Sequence, residues 1–488
     1  MSVSKFKAFR NILYISLGKG LSLVCTAVTS FVLARNLAPT DYGVVGFATI
    51  VIGFLGQFSN MGIANAAIQR SQLRQSDVDT AFTLRVVLGC FALACAWLLA
   101  PFSHHFFDHP ATANVIRLLA LNFLIGALGF APEILLTREV NFRTLMLPGV
   151  ISTVVQSILV VALVLNGWSF WSVVIANIGG TLTTGIALQV AKKVPIRFHF
   201  DWSVAKGFLK FGVPLFGSGV FIFLLLNLDN FLVGSELGSV QLGYYALAFT
   251  WGSFASTVLE GTVIKVLFPT LSNVQNDTAA VGRWYLKTVE LVAFIAVVIN
   301  ASLFANAHDF LVTFLGKGTD KWIPAYFALR ILCIYGILRA ITVPVGICIM
   351  VSGKTKVLLR ANMLAGAIEL LLLMLALRTG KIELVAASVL AAYSSQILVF
   401  RLFLREHYSI QLREIVARVW QVIPSLAIGW FATDYLLPQS FEGSYVTLVA
   451  RGLFTASVVA LTHGILTRFR CFHEARGMIM QGLVRAEG

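Results

Sequence analysis

The stretch FVLARNLAPTDYGVVGFA, Phe31–Ala48, breaks two apolar runs with Arg35, Asn36, a Pro-Thr-Asp and a glycine, and FLVGSELGSVQLGYYALA, Phe231–Ala248, does the same 200 residues later. Each begins with Phe, carries Leu at its seventh place and Gly at its thirteenth, and ends in Ala. An apolar–polar–apolar corner of this kind joins two long buried segments. Pro39 and Gly43, or Gly238 and Gly243, supply the turn chemistry.

Composition names the solvent around those segments. Of 488 residues, 58% are hydrophobic and 12% charged, with a mean hydropathy of +0.84. Soluble domains are about half apolar and about a quarter charged, so so few charges cannot cover this much apolar surface in water. The bilayer is the solvent. A crossing helix needs about 20 mostly apolar residues, and about fourteen such windows are found. They centre on Leu23, Ile52, Phe91, Leu124, Leu159, Ile178, Leu224, Phe254, Ala296, Ile341, Leu370, Val389, Ile428 and Val458.

Charge gives the orientation. With the N-terminus cytoplasmic, the inner loops collect Lys5, Lys7 and Arg10, then Arg70, Arg74 and Arg85, then Arg138 and Arg143. Further inner groups run from Lys192 to Lys210, at Arg283 and Lys287, from Lys354 to Arg360, from Arg401 to Arg418, and in the tail from Arg468. The outer loops carry far fewer, chiefly Arg35, Arg117, Lys317, Lys321, Arg378 and Lys381. Basic loops remain cytoplasmic, so both ends are expected inside and the helix count even. The net charge of +15 therefore reads as orientation and anionic-lipid contact, not nucleic-acid binding.

Six helices separate the two corners, which preserves direction. The expectation is an all-α polytopic membrane protein of about 14 transmembrane helices, with two six-helix lobes as parallel pseudo-repeats. Its parts are an N-terminal lobe over residues 1–200, a C-terminal lobe over 201–408, and 409–488 with two extra helices and a basic cytoplasmic tail. The apolar N-terminal run is too long for a signal peptide and lacks an A-x-A-like cleavage site, so it reads as a retained first helix. Cys25, Cys90, Cys95, Cys333 and Cys348 sit in apolar runs as small hydrophobes; Cys471 lies in the tail.

Several segments carry a family likeness. VLARNLAPTDYGVVGFA resembles the first-loop signature of the Wzx-type flippases, the polysaccharide transporters of the multidrug/oligosaccharidyl-lipid/polysaccharide exporter superfamily. NMGIANAAIQR (Asn60–Arg70), NLDNFLVGSELGSVQLGYYALA (Asn227–Ala248) and KVLFPTLSNVQND (Lys265–Asp277) are similar to further family segments. The resemblance covers the first two-thirds of the chain; the last third is similar only in hydropathy. It implies fourteen helices in two lobes around a central cavity, in the bacterial inner membrane. It also implies a flippase moving undecaprenyl-diphosphate-linked oligosaccharide repeat units outward by alternating access, without enzymatic activity or cofactor. Implied partners are the lipid-linked substrate, membrane lipid, and a polymerase and chain-length regulator of the same pathway.

Such a substrate demands particular groups. Carrying sugars and a diphosphate through a core about 30 Å thick strips hydrogen bonds that cost several kcal/mol each in hydrocarbon. Polar lining must replace them for the sugars, and cations for the diphosphate. Lys19 in SLGKGLS and Arg339 in GILRAITVPVG are the first diphosphate candidates, since a centred cation costs about 2.5–3.5 kcal/mol and needs a cavity or a partner. Lys265 and Arg35 follow. The competing roles are a structural pair with Glu369, Glu290 or Glu133, snorkelling for Lys265, and an interfacial anchor paired to Asp41 for Arg35.

Asp229 with Asn227 and Asn230, Glu369, Glu133, Gln156 and Asn177 are candidates for sugar hydroxyls or a coupling ion. Their competing roles are an end-of-helix polar cluster, ion pairing and polar glue between helices. Pro214 and Pro344 fall inside apolar runs as kink positions. His105 and His109, four apart with Asp108 between them, form the one metal-like cluster; no fourth ligand is evident, the segment reads as interfacial decoration, and no metal site is expected. A multidrug or other lipid-linked-precursor exporter of the same superfamily is the alternative. A membrane glycan polymerase or ligase is a weaker one, because the outer loops are short and no catalytic motif is present.

Overall fold

The computed structural model describes residues 2–139, 141–195, 197–436 and 445–467, with side chains from residue 18 onward except 142, 143, 262, 265, 266, 269, 355, 436 and 445. Among the described residues there are helices and turns but no strands. Twelve of the helices are long and apolar enough to cross a membrane. The first helix and Phe254–Asn273 are outside that twelve, although each carries a sequence centre, Leu23 and Phe254. Large apolar side chains stand open on the flanks: Leu98 is 72% exposed, Phe431 70% and Leu371 64%. Water would not tolerate such surfaces, and acyl chains cover them. The chain is a multi-pass membrane protein.

The chain divides into two compact units, Met1–Gly243 and Tyr244–Ala486. The first carries α1 (Ser2–Asn36), α2 (Pro39–Asn60), α3 (Ile63–Gln69), α4 (Gln75–Leu99), α5 (Thr112–Ala120), α6 (Asn122–Ile125), α7 (Phe130–Arg138), α8 (Phe142–Leu165), α9 (Trp171–Ala191) and most of α10 (Trp202–Gly252). Its first corner forms where Ala38 leaves the helical region (φ −77°, ψ 158°) and Pro39 opens α2. Proline fits there because its missing N–H would have no partner in a first turn. The Asp41 carboxylate accepts the Ala38 N–H at 3.1 Å and the Ser169 hydroxyl at 2.7 Å, and its charge suits a helix N-terminus.

The second corner lies inside α10, at Gly238 (φ 85°, ψ −179°). Only glycine adopts this backbone without strain. The helix restarts at Ser239, whose N–H is taken by Asp108 at 3.0 Å. Phe107, beside that aspartate, stacks on Phe47 with ring centroids 4.5 Å apart, and Phe47 lies 5.7 Å from Phe231. The histidine-rich segment therefore fastens the second corner. Asp108 is spent as a helix cap, and the His109 ring accepts the Ala111 N–H at 3.3 Å.

The second unit contains α11 (Phe254–Asn273), α12 (Thr278–Ala305), α13 (Ala307–Asp309), α14 (Tyr326–Val351), α15 (Thr355–Leu377), α16 (Ile382–Tyr408), α17 (Leu412–Val419), α18 (Val422–Leu436) and α19 (Tyr445–Leu466). The eighth sequence window is split at Ser253, which separates α10 from α11. Asn300 fixes that break by donating to the carbonyls of Gly252 (3.2 Å) and Cys333 (2.9 Å). A core of Leu267, Leu271, Tyr285, Val289, Ile347 and Phe403 joins α11, α12, α14 and α16.

The last three helices are tied to α12 and its C-terminal end by polar contacts. Arg418 pairs with the fully buried Glu290, Arg451 with Asp309 at 2.7 Å, and Asn306 donates to Thr455 at 3.0 Å. Arg330 lies over Phe304 at 4.0 Å and over Trp430 at 5.1 Å, a cation–π link to α18.

Candidate functional site

Two polar cavities lie within the described helices, one in each unit. The first, of about 220 Å³, opens between α7, α8 and α9. Glu133 comes from α7, Ser152 and Gln156 from α8, and Asn177, Thr181 and Thr184 from α9. Glycines 126, 129, 180 and 185 bare the backbone between them. These glycines let the helices approach closely: a Cβ on Gly185 would lie 3.0 Å from Leu128 Cβ, and one on Gly129 2.7 Å from Leu188. Asn122 donates to the Asn177 side-chain oxygen at 2.9 Å, and the Ser152 hydroxyl to the Gly180 carbonyl at 2.6 Å.

Glu133, Gln156 and Asn177, predicted separately from sequence, thus share one cavity. A fourth group beside them was missed. Arg85 was assigned to an inner loop, but it lies ten residues into α4 and is 9% exposed. Its guanidinium donates to the Ser59 hydroxyl, faces the Phe130 ring at 5.9 Å, and interacts electrostatically with Glu133. Its Nη2 would be 3.7 Å from a Cβ on Gly126, so it backs the cavity wall. The signal that could have found it is the flanking sequence, FTLRVVL, apolar on both sides.

The second cavity, about 160 Å³, is lined by Glu260 of α11, Thr342 and Gly346 of α14, Asn362 of α15, and Tyr393 and Gln396 of α16. Arg339 meets it through Glu260, Nη2 to Oε2 2.8 Å. The partner expected for Arg339 was Glu369, Glu290 or Glu133; it is Glu260. A turn of α14 separates Arg339 from Thr342, whose hydroxyl donates to the Arg339 carbonyl at 2.9 Å. Gln396 donates weakly to Asn362 at 3.4 Å.

The other predicted residues are not gathered into these cavities. Lys19 is exposed on α1, beside Gly18, where a Cβ would lie 3.1 Å from Val150 of α8. Arg35 lies over the Phe31 ring at 5.2 Å. Asp229 is 3% exposed, and its Oδ1 accepts the Asn230 N–H at 2.7 Å and the Asn230 amide at 3.1 Å. Asn227 donates to the Phe223 carbonyl at 2.9 Å. Glu369 is half-buried on α15. The Lys265 side chain lies outside the described residues.

The multi-pass helical body thus turns ionisable and amide groups towards cavities between its membrane helices. The family described as polysaccharide biosynthesis protein matches residues 32–326, and the chain belongs to it. It is similar to the lipopolysaccharide biosynthesis protein WzxC of Escherichia coli (strain K12), 24% identical over 74% of this chain and 72% of that one. It is also 24% identical to the teichuronic acid biosynthesis protein TuaB of Bacillus subtilis (strain 168), over 63% of this chain and 62% of the relative. The inward closed conformation of the lipid II flippase MurJ shares the fold at TM-score 0.76 and 13% identity, covering 94% of this chain and 99% of that one.

Proposed function

We propose that the protein flips undecaprenyl-diphosphate-linked oligosaccharide repeat units from the inner to the outer leaflet of the bacterial inner membrane, with both termini cytoplasmic. It moves its substrate without making or breaking a bond in it. The observation that carries this reading is the Arg339–Glu260 pair at 2.8 Å, near the middle of the Asp320–Val351 span and on the edge of a polar cavity. A guanidinium at that depth is costly unless paired. A carboxylate partner keeps it paired while empty, and a diphosphate offers the same planar fork a bidentate anion in its place. Exchange of Glu260 for phosphate oxygen then loads the headgroup while the guanidinium stays paired throughout, and Glu260 is released to the cavity it lines. In this reading Lys19, Lys265 and Arg35 are further contacts for the substrate's phosphates. Asp229, Asn227, Asn230 and Glu369 are contacts for sugar hydroxyls or for a coupling ion.

The test is reconstitution of the purified chain into liposomes carrying a lipid-linked oligosaccharide, with outward exposure of the sugar followed by a membrane-impermeant probe. Protein-dependent exposure is expected. Equal exposure in protein-free vesicles, or transport of drugs but not of the lipid-linked sugar, rejects the reading.

A further inference from the structure

The cavity between α7, α8 and α9 has a composition that selects its occupant. At about 220 Å³ it is several times the roughly 30 Å³ share of a water molecule, far more room than a bare ion fills. Among the described residues the Gln156 carboxamide finds no hydrogen-bond partner, and it points its oxygen to within 3.3 Å of where a Gly180 Cβ would stand. Asn177 keeps its NH₂ group for a ligand, because only its oxygen is taken by Asn122. Thr181 and Thr184 donate to their own helix, at 3.0 Å each, and so present lone pairs inward.

Charge decides between a cation and an uncharged ligand. Glu133 on the wall would attract a cation, but the buried Arg85 guanidinium stands behind the same wall and interacts with that carboxylate. The guanidinium offsets part of the attraction that the nearer carboxylate exerts on a cation, and the rest of the lining carries no charge. What remains is a recess with amide donors, hydroxyl acceptors and a carboxylate acceptor, interleaved with flat glycine backbone. A ring carrying adjacent hydroxyls on its edge and C–H groups on its faces matches each of these features.

We propose that this cavity is a subsite for one uncharged pyranose. Gln156 and Asn177 grip its hydroxyls, Glu133 accepts from a vicinal diol, and Arg85 offsets the charge of Glu133. The assignment rests on reading the protein as a saccharide transporter and names one sugar-binding position for it.

The test is saturation-transfer NMR on the full chain in nanodiscs, with the methyl glycosides of glucose, galactose, mannose and N-acetylglucosamine as probes. Transfer to at least one glycoside is expected, insensitive to exchange of choline for sodium. Gln156→Leu and Asn177→Leu should each weaken binding about fivefold to tenfold, the loss of one or two hydrogen bonds. Asn177 is exposed, so Asn177→Leu carries the test alone if Gln156→Leu does not fold. Absence of transfer from all four glycosides, transfer unchanged in Asn177→Leu, or displacement of the glycoside by sodium overturns the proposal. Flipping of lipid-linked oligosaccharide without glycoside transfer rejects the subsite alone. Glycoside transfer by a chain that moves no lipid-linked sugar rejects the transport reading alone.

Discussion

Gly43 lies so close to Ser239 that a Cβ on it would fall 1.9 Å from the Ser239 carbonyl oxygen, and Gly243 meets the Pro39 carbonyl at the same 1.9 Å. Residues 39 and 43 correspond to 239 and 243 in the two repeated corners, so the contact is reciprocal. Each glycine presses on the helix start of the other copy. A two-fold relation between the corners produces this pattern, in which residue i meets j and the equivalent of j meets the equivalent of i.

Neither glycine has room for a methyl group, because backbone stands in its place. Gly43→Ala and Gly243→Ala should each cost about 1–3 kcal/mol or more, as overpacked sites do. Gly46→Ala is the control on the same helix: its nearest neighbour would be Leu242 Cδ2 at 3.8 Å, and it should be neutral or stabilising. Thermal unfolding in detergent checks all three; equal melting of the Gly43 and Gly46 variants would contradict the contact.

Asp108 caps the helix that restarts at Ser239. Asp108→Ala should lower stability by about 1 kcal/mol, and Asp108→Asn by less, since an amide oxygen still accepts. Zinc and chelators should leave the melting temperature unchanged. A metal-dependent shift would restore the histidine segment as a ligand set.

Arg339 and Glu260 can be exchanged to separate pairing from substrate binding. Arg339→Gln should reduce transport about tenfold to hundredfold, the worth of a charged hydrogen bond. The swap Arg339→Glu with Glu260→Arg should recover folded protein while transport stays low, because the guanidinium has left its place on α14. Full recovery of transport by the swap would make the pair structural.

Asp201 precedes α10, and its Oδ1 accepts the Ser203 hydroxyl and N–H, each at 2.8 Å, and the Val204 N–H at 3.3 Å. These bonds, that of the Ser203 hydroxyl foremost, hold its carboxyl below the usual carboxylate range. A lowered folded value means the capping is fully present above the unfolded carboxylate range and is lost as pH falls through the folded one. Amide exchange at Ser203 and Val204 should therefore accelerate relative to the intrinsic rate only in acid below the usual carboxylate range, and the acceleration should vanish in Asp201→Asn. Exchange independent of pH beyond the intrinsic rate would count against it.

Much of this architecture is legible because apolar length alone signals a membrane helix, and all fourteen sequence centres fall on helices. The repeated corner is legible because Gly and Pro report backbone needs locally. Glu133, Gln156 and Asn177 could each be picked out by the cost of burying them, yet their meeting depends on how α7, α8 and α9 pack. Arg85 was hidden by its neighbours Arg70 and Arg74, which drew it into a loop that ends at α4, ten residues earlier. Arg339 drew a partner 79 residues away on α11, a choice set by the packing of α11 on α14 and invisible to charge counting.

The contacts that fasten α17, α18 and α19 have an evolutionary corollary. Glu290, Asp309 and Arg330 belong to the body that precedes this terminal hairpin, yet Arg418, Arg451 and Trp430 belong to the hairpin itself. A gene shortened to end before residue 412 would take Arg418 from Glu290 and Arg451 from Asp309, and leave Arg330 with Phe304 and Tyr326 alone. Loss of the hairpin is therefore coupled to substitution of the acidic groups it neutralises.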